Sequence, residues 1–344
     1  MDCEKFVEKV QMDLAKILSD KYSNVIVEPV EVNKLQGQSY LGLSIRHDDS
    51  AVAEALNLGT FYELYQDGLP YENIMKKITD MVVTGFSDAP EIEVGSLNDY
   101  EKMKPHLITQ IIGVENNADM LPAVPHQKME DMAVVYRFRV GDSSKGQASI
   151  LITNQMLEMY GITSKQLQKD ALDVIQKNEP VSIKNMDEIM YELTNGFVGS
   201  IENPESPMWV ATNESKFHGA SVMAYPDFME QAAKKLNDSF YLLPSSTHEV
   251  LLVPDSFNLK AQELKEMVTV INASEVSPEE RLTDNAYHYD SESKVFEQAE
   301  NFEKRMENQK ERASVLDALG EKKQQCASYE PKFREENLKE VFAL

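Results

Sequence analysis

The segment Pro244 to Glu249 reads PSSTHE and places a hydroxyl and an imidazole two positions apart, at Ser246 and His248. In an extended strand such positions face the same way, so the two are the candidate nucleophile and base of a hydrolase. Glu249 then faces the opposite side and cannot orient the ring. A carboxylate from elsewhere is required, together with an oxyanion hole. The Gly-x-Ser-x-Gly elbow is absent. A loop of Pro and small hydroxyl residues bonding its own backbone accounts for the same letters without catalysis. That plainer reading is the one adopted.

The other reactive side chains occur singly. His248-Glu249 resembles the start of a zinc protease helix, but Leu252 stands where the second His belongs. His47, Asp48 and Asp49 follow one another where a strand ends; in a strand three neighbours cannot all face one ion, in a turn they can, and a solvated turn is expected. His126 and His288 are lone imidazoles, for which a hydrogen-bonded structural role is expected. Glu279-Glu280 and Glu335-Glu336 read as solvated faces, since a glycosidase needs its two carboxylates across a cleft. Cys3 and Cys326 lie at opposite ends of the chain without ligand spacing and are expected as reduced thiols. In GDSSKG the order Lys145 then Gly146, followed by a strand, excludes a phosphate loop. No cofactor and no metal are expected. The 17 methionines are spread from end to end, which favours core packing. Trp209 is expected to pack rather than to stack on a ligand.

Composition sets the frame for these residues. The 344-residue chain is 42% hydrophobic and 27% charged, with 58 acidic and 34 basic residues giving a net charge of −24. That length can bury a core without metal or disulfide. A negative field repels phosphate backbones and anionic lipid, so direct nucleic-acid and membrane binding are not expected. No apolar window is long enough for a membrane span, and the N-terminus lacks the character of a secretory signal. A cytoplasmic location is expected.

Periodicity supplies the elements. Phe6, Val10, Leu14, Ile17 and Leu18 share one face of an opening helix. NVIVEPVEV and SYLGLSIRH form a hairpin whose first strand, with Pro29, lies at a sheet edge. Two helices follow, ending at Gly68 and Gly85, then a loop over 87–98, the strand HLITQIIGV and a connector through Pro122 and Pro125. DMAVVYRFRV puts Met132, Val134, Tyr136, Phe138 and Val140 on one face and Arg137 and Arg139 on the other, and pairs with QASILIT. Helices capped by Thr153 or Asn154, Thr163 and Asn185 come next. MWVAT and GASVMAY read as strands, Pro226 as the first residue of a helix, FYLL and HEVLLVP as a third hairpin, LKAQELKEMVTVI as a helix, and 286–289 as a short strand. Alternating apolar faces imply antiparallel sheets with one buried side rather than a doubly wound parallel sheet. The fold class expected is α+β: antiparallel β-hairpins packed against helices, over residues 1–290, with a subdivision near 142–146 or 197–206 left open.

From 291 the texture changes. Val295, Ala299, Phe302, Met306, Ala313 and Leu316 follow three-four spacing, with Gln309 in one core slot. This predicts an amphipathic helix over 291–320, suited to packing on its own domain or to a protein partner, and a flexible tail over 321–344.

LNLGTFYELYQDG, MLPAVPHQKMEDMAVVYRFRV and FYLLPSSTHEVLLVP resemble an uncharacterised bacterial family. It is one of the domain-of-unknown-function groups of Gram-positive gut bacteria, often carried beside conjugative-element genes. The resemblance spans roughly residues 2–290. RASVLDALGEKKQ is similar to short tails on other mobile-element cargo proteins. What the resemblance implies is a bacterial, cytoplasmic accessory protein; it assigns no site.

Three functions are consistent with these readings. The preferred one is a non-enzymatic accessory protein that binds a protein partner through 291–320. The alternatives are a hydrolase built on Ser246 and His248, and an acidic decoy for a basic nucleic-acid-binding protein.

Overall fold

A computed structural model describes residues 1–33, 39–48, 53–88, 94–143, 146–199, 206–244 and 246–327. The chain opens with α1 (Cys3–Ser19), β1 (Val25–Asn33), β2 (Ser39–His47), β3 (Glu54–Asn57), α2 (Gly59–Gln66) and α3 (Tyr71–Asp88). Asp2 caps α1 by accepting from the Lys5 amide, and the spacing of Phe6, Val10, Leu14 and Leu18 turns all four inward. They pack on Leu43 and Ile45 of β2 and on Ile74, Ile78 and Val82 of α3, a core drawn from residues 6–86. β1 is an edge strand, as Pro29 requires. α3 runs through Gly85 to Asp88 rather than ending there. Of the expected 87–98 loop, 94–98 is a 3-10 turn and 89–93 lie outside the described residues.

A second sheet follows α4 (Tyr100–Met103). It comprises β4 (Leu107–Gly113), β5 (His126–Met129), β6 (Met132–Ser143) and β7 (Gly146–Leu151), with β6 paired to the other three and every pairing antiparallel. After α5 (Asn154–Tyr160) and α6 (Ser164–Asn178) come β8 (Val181–Asn185), α7 (Met186–Leu193), β9 (Trp209–Asn213), α8 (Phe228–Leu236), β10 (Phe240–Leu243), β11 (Val250–Pro254), α9 (Ala261–Ser274), β12 (Tyr287–Asp290), β13 (Val295–Gln298) and α10 (Ala299–Ala327). Their strands form one six-stranded antiparallel sheet in the order β13-β12-β10-β11-β9-β8. The α+β class follows directly.

Both larger sheets bury two faces rather than one. Met132 and Val134 of β6 join the core of the six-stranded sheet, and Tyr136 and Phe138 pack on α5 and α6. On the opposite face of β6, Ala133 and Val135 lie under Leu121 and Val124. In β10, Phe240 and Leu242 face one core while Tyr241 and Leu243 face another built by α9 and the start of α10. Helices and loops on both sides make this possible, with every pairing among the described strands antiparallel.

Thr153 and Thr163 cap α5 and α6 as their positions suggest, and Asn185 caps α7 by accepting from Asp187. Three further readings need correction. GASVMAY is not a strand: Gly219–Ala224 is a 3-10 turn entered through His218 in the left-handed region, φ 50°. Pro226 sits one residue before the Asp227 N-cap, not inside α8. The helix expected from 291 begins at Ala299, and 295–298 instead form β13, paired with β12. α10 continues through Gly320 to Ala327, while 328–344 lie outside the described residues. No helix among the described residues is long and apolar enough to cross a membrane.

Candidate functional site

The loop between β10 and β11 carries the first candidate. Ser246 makes an isolated antiparallel bridge with Arg281, and β11 begins only at Val250, so 246–248 are not an extended strand. Ser246 Oγ accepts from the main-chain N–H of His248 at 3.0 Å, the turn-forming use of a serine. The imidazole turns elsewhere: its Nε2 lies 2.9 Å from Glu280 Oε1. Glu280, read as part of a solvated acidic pair, is thus the carboxylate that sequence could not locate. The hydrogen bond from His248 holds the Glu280 carboxyl below the usual range. Glu249 is exposed.

Behind this pair the backbone is tightly packed. Thr212 Oγ1 donates to the His248 carbonyl at 2.9 Å, and the Ala220 amide donates to the Thr247 carbonyl at 3.1 Å. Gly219 makes this approach possible, because a Cβ there would lie 1.9 Å from Thr212 Oγ1 and 2.1 Å from the His248 carbonyl oxygen. His218 next to it is held neutral: burial, then the charges of Arg137 and His248, lower its pKa to about 3. Its Nδ1 is shielded from solvent and unbonded. Arg137 lies partly buried, donating to Ser149 Oγ, the Ser149 carbonyl and Gln110 Oε1, and burial draws it down to about 10.

What this arrangement can do is limited by exposure. The side chains of His248 and Glu280 are 43% and 41% exposed, and an exposed pair of this kind contributes little to stability. An oriented imidazole with a carboxylate behind it is two-thirds of a hydrolytic triad. The Ser246 hydroxyl bonds the His248 backbone rather than the ring.

The remaining sequence candidates have other settings. His47 packs among Tyr22 and Phe86; Asp49 lies outside the described residues, as do Lys145 and Glu335-Glu336. His126 Nδ1 meets the Val124 carbonyl at 3.0 Å. Trp209 is partly buried against the core of the six-stranded sheet. Cys3 is a free, exposed thiol. Among the described residues no three His, Cys, Asp or Glu side chains are placed to hold a metal ion.

His288 departs from the hydrogen-bonded role expected of it. It is 1% exposed on β12, and neither ring nitrogen has a hydrogen-bond partner. Its ring stacks on Phe302 of α10, centroids 3.5 Å apart and planes 11° apart, with Tyr241 edge-on at 4.8 Å. Phe302 is held in turn by the base of α10. Arg305 bonds Glu297 at 2.7 Å and Asp290 at 3.0 Å, Lys265 reaches Glu300 at 2.9 Å, and Glu303 accepts the Ala261 amide at 2.8 Å. His288, Phe302 and Met306 line an open cleft of about 630 Å³ between α8, β12 and α10, which sequence gave no means of finding.

No curated protein and no solved structure matches the chain. The profile of a family of unknown function, DUF5688, matches residues 3–291. Those residues take in all three sheets apart from β13, together with the Ser246-His248-Glu280 loop region, and the chain belongs to that family.

Proposed function

We propose that this is a non-enzymatic accessory protein of the bacterial cytoplasm that binds a protein partner through the distal half of α10. The supporting observation is the two-part character of that helix. Its base is fixed to the body through Ala299, Phe302 and Arg305, whereas every residue from Glu307 to Gln324 is exposed. Val315, Leu316 and Leu319 present apolar side chains there at 59%, 67% and 49% exposure. A helix seldom keeps such a projection in water without a surface to meet, since most helical stability comes from packing one face.

The occupant is a protein with an apolar groove rimmed by basic residues. α10 carries six acidic and six basic residues over 299–327, so the excess of −24 belongs to the remainder of the chain. That excess repels a second copy and attracts a basic rim. A carriage by conjugative elements, with a mobile-element partner, fits the same reading.

The test compares partners captured by the full chain with those captured by Leu316→Glu/Leu319→Glu and by a chain ending after Asn308. A cut at 290 is unsuitable because it separates β12 from β13. A partner lost from both variants, with thermal stability unchanged, supports the proposal. Identical partner sets, or a full chain that is dimeric through these leucines in light scattering, overturns it. A basic partner captured equally by both variants and released steeply by salt favours the decoy alternative instead.

A hydrolase remains the second reading, favoured by the 2.9 Å contact between His248 and Glu280. Labelling by a serine-directed activity probe that disappears in Ser246→Ala and in His248→Ala supports it; labelling unchanged by Ser246→Ala ends it.

A further inference from the structure

Arg137 is a partly buried guanidinium without a counter-ion. It donates through Nε to Ser149 Oγ at 2.8 Å, through Nη2 to the Ser149 carbonyl at 3.2 Å and through Nη1 to Gln110 Oε1 at 3.3 Å. All three acceptors are neutral. Among the described residues no carboxylate pairs with it, and burial draws its pKa down with no acidic charge to offset the shift. Arg139, two positions on, instead reaches Glu179 at 3.4 Å, and Lys104 reaches the buried Asp170 at 2.9 Å. An unpaired charge held largely away from water costs free energy that a matching anion recovers. Three of the five N–H donors are engaged, so one remains on each terminal nitrogen.

The surroundings set the charge of that anion. Gln110 adjoins Ile111, which shares a core with Ala220 and Val222, so the turn Gly219–Ala224 and its entry residue His218 lie against the same strand, β4. His218 is close enough to Arg137 for that charge to help keep its ring neutral. The ring is partly exposed while Nδ1 is shielded, which leaves Nε2 as the nitrogen facing out. His248, the next imidazole, already meets Glu280 at 2.9 Å. What is left is one uncompensated positive charge and one neutral ring nitrogen that can donate as Nε2–H. A monoanion with two acceptor oxygens balances this; a phosphate dianion overshoots in a chain of net charge −24.

We propose that Arg137, with His218 beside it, binds the carboxylate of a small molecule. The planar fork of a guanidinium matches two carboxylate oxygens in a way that a point charge does not. The site needs neither the distal half of α10 nor the Ser246 hydroxyl, so it stands or falls apart from both readings of function.

The test titrates the full chain at neutral pH and constant ionic strength with acetate, acetamide, chloride and phosphate. Imidazole proton resonances are followed, those of His218 being assigned by their loss in His218→Asn. Acetate is expected to move the His218 resonances saturably, and acetamide, with the same shape and no charge, to bind about ten-fold more weakly. Arg137→Gln keeps hydrogen bonding to the neutral neighbours without the charge and should abolish the response, with a melting curve to confirm its fold. Arg137→Lys is the companion variant should that one unfold. It is expected to weaken acetate about five-fold, because a point charge replaces the planar fork. Unmoved His218 resonances, an equal response to acetamide or chloride, tighter binding of phosphate than of acetate, or unchanged acetate affinity in a folded Arg137 variant overturns the proposal.

Discussion

Tyr287 of β12 donates its phenol to the carboxylate of Asp131, 156 positions earlier, in the turn between β5 and β6. Thr283 and Asn285 donate to the same group at 2.8 Å and 2.9 Å. One carboxylate thereby joins the β5-β6 hairpin to the six-stranded sheet, beside the shared core of Met132, Val134 and Tyr287.

Asp131→Ala leaves these donors without their acceptor and is expected to cost about 3 kcal/mol, measured by urea denaturation. Burial raises the Asp131 carboxyl, but the hydrogen bonds from Tyr287, Asn285 and Thr283 outweigh it and hold the group below its ordinary range. A folded-state pKa below the unfolded one means stability that is present above about pH 4 and lost as pH falls through the folded value. Tyr287→Phe should therefore flatten stability against pH on the acid side.

His218 gives a second and separable pH dependence. Its folded pKa of about 3 lies below the ordinary imidazole value of 6.5, so its contribution is full above pH 6.5 and declines as pH falls from there towards 3. The loss is expected to reach about 2 kcal/mol by pH 5. His218→Asn, which tolerates the left-handed backbone, should remove this decline in melting curves taken between pH 7 and pH 5. An equal decline in the variant would contradict the assignment.

Gly219→Ala introduces a Cβ against Thr212 Oγ1 and the His248 carbonyl, both under 2.5 Å away. Something must shift, and the expected cost is about 2–3 kcal/mol in thermal unfolding. The shift should also reach the His248 ring, visible as a change in its proton resonances. A silent Gly219→Ala would show that this loop yields freely.

Arg305→Met removes the two ion pairs of Arg305, to Asp290 and Glu297, while keeping an unbranched apolar stem. Asp290 is held well below the usual carboxylate range: burial raises it, and bonds from Ser293, Arg305 and the Glu292 amide overcome that. Loss of Arg305 is expected to cost about 1–2 kcal/mol and to speed amide exchange over Ala299–Asn308. Exchange over Arg312–Gln324 should change less, because those residues are exposed.

The strands that escaped sequence reading, β3, β5, β8 and β13, all lie at the end of their sheets. An end strand needs one row of partners and little burial, so HQKM can serve with three of its four side chains exposed. Its residues then carry no period-two apolar signature. β4, β6, β10 and β11 were legible because they are buried and apolar. GASVMAY was apolar too, yet runs this short do not separate strand from turn. Its turn depends on the left-handed His218 and on the Ala220 amide reaching Thr247.

Local pattern alone therefore determined most of the helices and their threonine caps, the three expected hairpins, the acidic charge and the solitary placing of reactive groups along the chain. Tertiary structure alone decided which of those groups meet: Glu280 with His248 over 32 positions, Asp131 with Tyr287 over 156, and Phe302 with His288 across the β12-β13 hairpin. The reason is physical. Periodicity and capping act within a few residues, while a hydrogen bond or ring stack depends on ångström-scale separations that the whole path of the chain must set.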